Sequence, residues 1–145
     1  MCEDNKRLVR RALKEVYENG TLELADELVH PTFVDHEPAH ADEFTGPESA
    51  KRTAARLLDA FGGLRFDVED EIAEGDKVVQ LVTMSGTHAG PLLGREPSGR
   101  AFAVRHVYIW RIADGKIAEH WGSRDDLGLL QQIGLLRPPE GKTAT

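Results

Sequence analysis

The sequence predicts one α+β domain, with helices in its first part and an antiparallel sheet in its second. Up to residue 61, apolar residues recur every three or four positions, as they do on the buried side of a helix. From Leu64 onward, apolar and polar residues alternate, which is typical of strands with one buried face. The 145 residues fit a single domain and contain no internal repeat. We therefore expect one domain over residues 1–145, with a mobile tail at about 137–145.

Three helices are predicted in the first part of the chain. Gly20 ends the first, and Pro47 favours the start of the third, because proline at the first helical position loses no internal hydrogen bond. Between the second and third helices, the polar stretch FVDHEPAHADEFTG is predicted to form a loop. The helices span residues 4–18, the segment between Thr21 and Pro31, and the segment from Pro47 to Phe61.

Four strands and a final helix are predicted in the second part. The turn signals between them are Gly75-Asp76, the glycine- and proline-rich stretch AGPLLGREPSG, and Asp114-Gly115. A curved sheet over the helices would bury one face of each strand and leave a cavity between the layers. The strands cover residues 64–72, 77–88, 101–112 and 116–122, and the helix covers residues 125–134.

Charge and composition argue against several classes of function. The net charge is −7, from 25 acidic and 18 basic residues, and the basic residues form no stripe. Nucleic acid and anionic membranes are therefore not expected as partners. The single cysteine, Cys2, excludes an internal disulfide, and no apolar run approaches the ~18 residues of a membrane span. The start lacks the pattern of a signal peptide, so we expect a cytoplasmic protein.

The hairpin RHVYIWRIADGKIAEHW carries two histidines that could meet in the predicted cavity. Alternation along the third strand puts His106 in one row with Tyr108 and Trp110. A polar ring among aromatic residues is typical of a pocket floor. A core histidine that is hydrogen-bonded to the backbone is an equally good interpretation of this pattern.

The length of the turn decides whether His120 joins His106. A two-residue turn at Asp114-Gly115 puts His120 on the face of Ile109, away from His106. A three-residue turn puts His120 opposite Tyr108, on the same face as His106. The spacing alone allows both turns.

The string VYIWRIADGKIAEHW, followed by DDLGLLQQIG, resembles the C-terminal signature of the SnoaL-like polyketide cyclase family, within the nuclear-transport-factor-2-like superfamily. The resemblance continues upstream in FVDHEPAH, TGPES and EDEIAEGDKVVQLVTMSGTHAGPLLGREPSGR, and it extends from the first helix to Leu136. It implies a cone-shaped barrel, in which a strongly curved antiparallel sheet surrounds helices and one deep apolar pocket. It also implies that no metal and no organic cofactor takes part.

Members of this family with known chemistry close a ring by intramolecular aldol condensation on an aromatic polyketide ester. The resemblance therefore implies an apolar aromatic ester as the substrate. The family's acid/base is an aspartate just before the tryptophan of a GKI-x-E-x-W pattern, and His120 occupies that position here. His106 and His36 resemble further histidines of the family's pocket. If the positions are equivalent, His106 and His120 both face the cavity, which requires the three-residue turn.

Histidine is suited to acid/base catalysis because its ordinary pKa of about 6.5 lies near neutral pH. We expect His120 to be catalytic and His106 to orient it or to donate to the enolate oxygen. For His36, which is a weaker catalytic candidate, a position at the pocket rim and a structural hydrogen bond are equally good interpretations. The predicted pocket wall comprises Phe33, Met84, His88, Tyr108 and Trp110, and for His88 a role in ordering the adjacent loop is an equally good interpretation.

Three alternatives accompany this interpretation. A metal site at His36 and His40 is disfavoured because Pro38 prevents the helix that such a pair requires. Epoxide hydrolysis is disfavoured because Arg105 and Arg111 fall on the face opposite His106. A non-catalytic protein that binds a small molecule in the same pocket is supported by the missing aspartate.

The resemblance also implies a homodimer or a higher homo-oligomer, because cones of this kind usually associate through the outer face of the sheet. Val107, Ile109 and the pair Leu129-Leu130 are the residues expected to supply that surface. Monomers in solution would contradict this expectation.

Overall fold

A curved five-stranded sheet packs against the N-terminal helices in the computed structural model, which describes residues 2–37 and 44–137. The predicted α+β class is confirmed. The predicted tail from residue 138 onward and the segment 38–43 lie outside the described residues. The helices are α1 (Cys2–Arg11), continued by a π-helical turn (Ala12–Glu18), a 3-10 turn (Leu22–Leu24), α2 (Ala25–Leu28), α3 (Pro47–Ala60) and α4 (Asp126–Gln132). The strands are β1 (Val29–Asp35), β2 (Phe61–Glu74), β3 (Lys77–His88), β4 (Ala101–Ala113) and β5 (Lys116–Ser123).

Strand β1 is the main departure from the prediction, which assigned its first residues to the end of the second helix and its last three to a loop. It forms one edge of the sheet, whose order is β1-β5-β4-β3-β2, and it runs parallel to β5. The sheet is therefore mixed rather than wholly antiparallel. Pro31 is tolerated because the strand lies at the edge and its pairing is interrupted between Val29 and Val34.

The β4–β5 hairpin has a two-residue turn, so the expected three-residue turn is wrong. Asp114 and Gly115 both have positive φ angles, of 53° and 70°, as a type I′ turn requires. A bulge then interrupts the ladder at Ala118, because Arg111 pairs with Glu119 while Ile112 pairs with Ile117. The additional residue turns each later side chain of β5 to the opposite face of the sheet.

As a result, His120 lies directly opposite Trp110 and faces the same side of the sheet as His106. The row predicted on β4 is observed, because its even-numbered residues from 102 to 112 are all buried. The bulge thus gives His120 the inward orientation that was expected from a three-residue turn.

The core lies between this inward face and the helices. The larger cluster packs Val78, Val82 and Trp110 against the first helical segment and α3. A smaller cluster, which includes Met84 and Ile133, lies beneath α4. In the described part of the chain, no helix is long and apolar enough to cross a membrane.

Candidate active site

A pocket opens between the helices and the inward face of the sheet. Its volume is about 490 Å³ when the open mouth is included. Its lining combines apolar and aromatic side chains with carboxylates, a histidine and a guanidinium group. The apolar and aromatic lining residues are Leu13, Tyr17, Leu57, Phe66, Tyr108 and Trp110, and the polar ones are Asp35, Glu37, Thr53, His120 and Arg124.

His120 is held in this pocket by a carboxylate from the neighbouring strand. Asp35 is the last residue of β1 and is the direct partner of His120 in the parallel ladder. The backbone N–H of His36 donates to the carbonyl of His120 at 2.8 Å and fixes the two strands at this point. The Nδ1 atom of His120 lies 3.0 Å from Oδ1 of Asp35. Both side chains are largely buried, with exposed fractions of 10% and 12%.

The contact with Asp35 determines which nitrogen of His120 carries the hydrogen. Burial by itself would raise the pKa of Asp35, but the interactions with His120, the backbone N–H of Glu37 and the charge of Arg124 together outweigh burial and lower the pKa below its ordinary value. Asp35 is therefore a carboxylate at neutral pH and can only accept, so Nδ1 of His120 donates. The lone pair of neutral His120 is then on Nε2, which is buried and has no hydrogen-bond partner among the described residues.

Aromatic rings fix the plane of the His120 side chain. The ring centroid of Trp110 lies 4.3 Å from that of His120, and the centroid of Tyr108 lies 5.2 Å from it. Gly122 provides the space, because a Cβ atom there would come within 3.2 Å of Cε1 of His120. The imidazole is thus positioned by Asp35 at one edge and by packing on its faces.

His106 lies on the same face but is not part of the pocket lining. It is only 2% exposed, and its Nδ1 atom lies 2.8 Å from the hydroxyl oxygen of Tyr108. Burial lowers the pKa of His106 to about 4, so the ring is neutral at neutral pH. Tyr108, whose hydroxyl group His106 contacts, is one of the residues that line the pocket.

The structure places His36 outside the pocket. Strand alternation points Asp35 inward and His36 outward, where the Nε2 atom of His36 lies 3.0 Å from Oε1 of Glu119. The ring of His36 stacks on Trp121, with 4.8 Å between the centroids. Of the two interpretations of His36, the structure has the structural contact, so His36 has no part in the proposal below.

Three residues of the predicted pocket wall belong to the core instead. Phe33 packs in the larger cluster, and Met84 packs in the smaller one. His88 is fully buried, and its Nδ1 atom accepts the backbone N–H of Ser98 at 3.0 Å, so it orders the loop between β3 and β4. Of the predicted wall, Tyr108 and Trp110 line the pocket.

Three polar or aromatic residues that line the pocket were not predicted from the sequence, namely Asp35, Tyr17 and Arg124. The Asp35–His120 contact joins residues 85 positions apart, across a parallel pair that no local signal predicts. Arg124 lies just after β5 and donates to the carbonyl oxygen of Glu37 at 2.6 Å, which ties the end of β1 to the pocket mouth. For Asp35, the available signal was alternation: Phe33 and Asp35 share the inward face if the stretch FVD is read as a strand.

The basic residues of β4 lie on the outer face, as the pattern predicts. Arg105 pairs with Glu69, and Arg111 pairs with Glu119. Among residues 2–37 and 44–137, no group of three or more histidine, cysteine, aspartate or glutamate side chains is arranged to hold a metal ion. His40 lies outside this part of the chain.

Comparison with known proteins identifies the family. The sequence profile described as SnoaL-like polyketide cyclase matches residues 7–133. The aklanonic acid methyl ester cyclase DnrD of Streptomyces peucetius is 34% identical over 141 residues, which cover 92% of this chain and 94% of that protein. The nogalonic acid methyl ester cyclase of Streptomyces nogalater is 29% identical over 119 residues, which cover 81% of this chain and 89% of that protein.

A solved structure shows the same fold. TsrD from Streptomyces laurentii superposes with a TM-score of 0.82 at 34% identity, and the alignment covers 92% of this chain and 97% of that one. The nuclear-transport-factor-2-like fold and the family resemblance in the sequence are both confirmed. The chain belongs to the SnoaL-like polyketide cyclase family.

Proposed function

We propose that this protein closes a ring in an aromatic polyketide ester by intramolecular aldol condensation, with His120 as the acid/base and Asp35 as its partner. The observation that carries the proposal is the hydrogen bonding of the two ring nitrogens of His120. Its Nδ1–H is held by a carboxylate, and its Nε2 lone pair is buried beside the pocket without a described partner. A histidine in this state is set up as a general base.

The reaction needs one group that first accepts and then returns a proton. Nε2 of His120 removes a proton from the carbon next to a carbonyl group, which leaves an enolate and an imidazolium ion. The enolate carbon attacks a second carbonyl of the same molecule, and one carbon–carbon bond forms. The new alkoxide then takes the proton from Nε2. The product is an isomer of the substrate, and Asp35 stabilises the intermediate imidazolium.

The relatives support an aromatic ester as the substrate. Their names give aklanonic acid methyl ester and nogalonic acid methyl ester as the compounds that are cyclised. The apolar lining residues, such as Leu13, Leu57 and Phe66, are suited to fused aromatic rings. The polar lining residues then receive the carbonyl groups that react.

The test is turnover of aklanonic acid methyl ester, with the cyclised product identified by mass spectrometry and chromatography. We expect wild-type protein to form the product, and His120→Ala to form none while it still binds the ester. Binding can be followed in parallel through quenching of tryptophan fluorescence. Binding without turnover by the wild type would contradict the proposal and favour a carrier or sensor.

We also propose that the protein forms a homodimer through the outer face of the sheet. Val107 is 39% exposed there, Val34 is 37% exposed, and Ile109 is half-buried beside them. Leu129, expected at this surface, packs in the smaller core cluster instead. Light scattering should give twice the chain mass for the wild type and a lower mass for Val107→Glu. A wild-type monomer would contradict the proposal.

A further inference from the structure

We propose that the hydroxyl group of Tyr108 is a second catalytic group, which donates a hydrogen bond to the carbonyl oxygen that the enolate attacks, and that His106 is the positioning residue that directs this hydrogen into the pocket. The inference rests on the proposed aldol reaction and identifies a hydrogen-bond donor for the carbonyl oxygen that is attacked. It assigns different roles to the two buried histidines of the hairpin.

Tyr108 lies where such a donor is needed. It lines the pocket beside His120, its ring is only 7% exposed, and the two ring centroids are 5.2 Å apart. A carbonyl group bound against Tyr108 would therefore be close to the atom that His120 deprotonates. His106 lies outside the lining and reaches the site through the hydroxyl of Tyr108, at 2.8 Å.

The direction of the His106–Tyr108 hydrogen bond follows from the other nitrogen of His106. Its Nε2 atom is buried and has no hydrogen-bond partner in the described part of the chain. A hydrogen on Nε2 would leave a buried N–H donor unsatisfied, which is rarer in proteins than an unsatisfied acceptor. The hydrogen of the neutral ring is therefore on Nδ1. Nδ1–H donates to the oxygen of Tyr108, and the phenolic hydrogen of Tyr108 is left to point elsewhere.

Because Tyr108 is one of the residues that line the pocket, we place this hydrogen toward the pocket, where a carbonyl oxygen of the substrate accepts it. Burial raises the pKa of Tyr108, so the phenol stays protonated at neutral pH. Tyr108 thus acts as a hydrogen-bond donor to the developing alkoxide, and the proton that ends on that oxygen still comes from Nε2 of His120. Preorganised donors of this type stabilise a charge that develops only in the transition state.

Tyr108→Phe separates this role from that of His120. The base step is measured as exchange of the substrate's α-hydrogen in deuterium oxide, and ring closure is measured as product formation. We expect Tyr108→Phe to lower kcat for closure by about 10²-fold, with KM and the exchange rate changed less than threefold. His120→Gln should lose both reactions. Equal loss of exchange and closure in Tyr108→Phe, or retention of both, would overturn the proposal.

Variants of His106 test its positioning role. His106→Gln retains an N–H group that can donate to the tyrosine oxygen, whereas His106→Leu does not. We expect His106→Leu to lower kcat for closure by about tenfold at unchanged KM, and His106→Gln to restore most of it. Thermal unfolding of each variant shows whether it is folded. Equal kcat values in two folded variants would contradict the role of His106.

Failure of the proposed function gives a different result. If the wild type neither exchanges the α-hydrogen nor closes the ring, the aldol function is wrong. The ¹⁵N NMR signals of the His106 ring then still test the direction of its hydrogen bond with Tyr108. Hydrogen on Nδ1 of His106 supports the donor role of Tyr108, and hydrogen on Nε2 overturns it.

Discussion

Replacement of Asp35 by asparagine is expected to lower kcat for ring closure by about 10²- to 10⁴-fold. The side-chain amide of asparagine can donate to Nδ1 of His120 at the position where the carboxylate accepts, 3.0 Å away. The hydrogen of the imidazole then moves to Nε2, which removes the lone pair that takes the substrate proton. Asparagine also lacks the charge that stabilises the imidazolium ion. The KM should change little, because the shape of the pocket is retained.

Glu119→Gln is the matched control. Glu119 makes the same type of contact, at the same distance of 3.0 Å, with His36 on the outer face of the sheet. The substitution changes a carboxylate–histidine pair that does not line the pocket, so kcat should stay within about threefold of the wild type. Steady-state rates with aklanonic acid methyl ester compare the two variants. An Asp35→Asn protein as active as Glu119→Gln would exclude Asp35 from the mechanism.

The stability of the protein is expected to fall as the pH drops from about 6.5 to 4, because of His106. The pKa of this ring is about 4 in the folded protein, and its ordinary value is 6.5. Between these values the unfolded chain binds a proton that the folded chain does not, so the free energy of unfolding rises with pH. The contribution of His106 is complete above pH 6.5, and about 3 kcal/mol of it is lost by pH 4. The titration of Asp35 changes the free energy of unfolding only at lower pH, because its pKa lies below 3.8.

Urea unfolding at pH 7.5 and pH 5 measures this effect. The free energy of unfolding of the wild type should fall by about 2 kcal/mol between these pH values because of His106. In His106→Gln the glutamine does not titrate, so the fall in the free energy of unfolding should be smaller by about 2 kcal/mol. His36→Gln is the control, because it removes an exposed histidine and leaves His106 in place. A pH dependence in His106→Gln equal to that of the wild type would show that His106 is not the group responsible.

Strand alternation was a reliable guide on β4 because the ladder there is regular. Its partners on β3 follow in unbroken register from Lys77 to Thr87, so each step of two residues returns to the same face. The inward position of His106, Tyr108 and Trp110 could therefore be predicted from the sequence. The partner strand β5 is not regular, and the same reasoning failed there.

The bulge at Ala118 shows why. A two-residue turn at Asp114-Gly115 followed by a regular ladder would point His120 outward, and the one additional residue reverses that orientation. The adjacent residues Ile117 and Ala118 are both buried, which a strictly alternating strand with one exposed face does not allow. Two consecutive apolar residues were thus the available signal for a bulge. The sequence has such pairs elsewhere, so the signal alone does not locate one.

Strand β1 and the Asp35–His120 pair depend on contacts distant in the sequence. The propensity of VHPTFVD for a strand is weakened by Pro31, and its partner β5 begins more than 80 residues later. The parallel pairing that joins them is set by the packing of the whole domain. This is why the histidine could be identified from the family pattern, and the carboxylate that orients it could not.

The most direct test of the account is the protonation state of His120, measured by ¹⁵N NMR of the imidazole nitrogens in wild-type protein and in Asp35→Asn. We predict a wild-type ring with hydrogen on Nδ1 and an unprotonated Nε2, and a ring with hydrogen on Nε2 in Asp35→Asn. His120→Gln assigns the signals, because they must disappear in that variant. A wild-type ring with hydrogen on Nε2 and none on Nδ1 would contradict the assignment of His120 as the base.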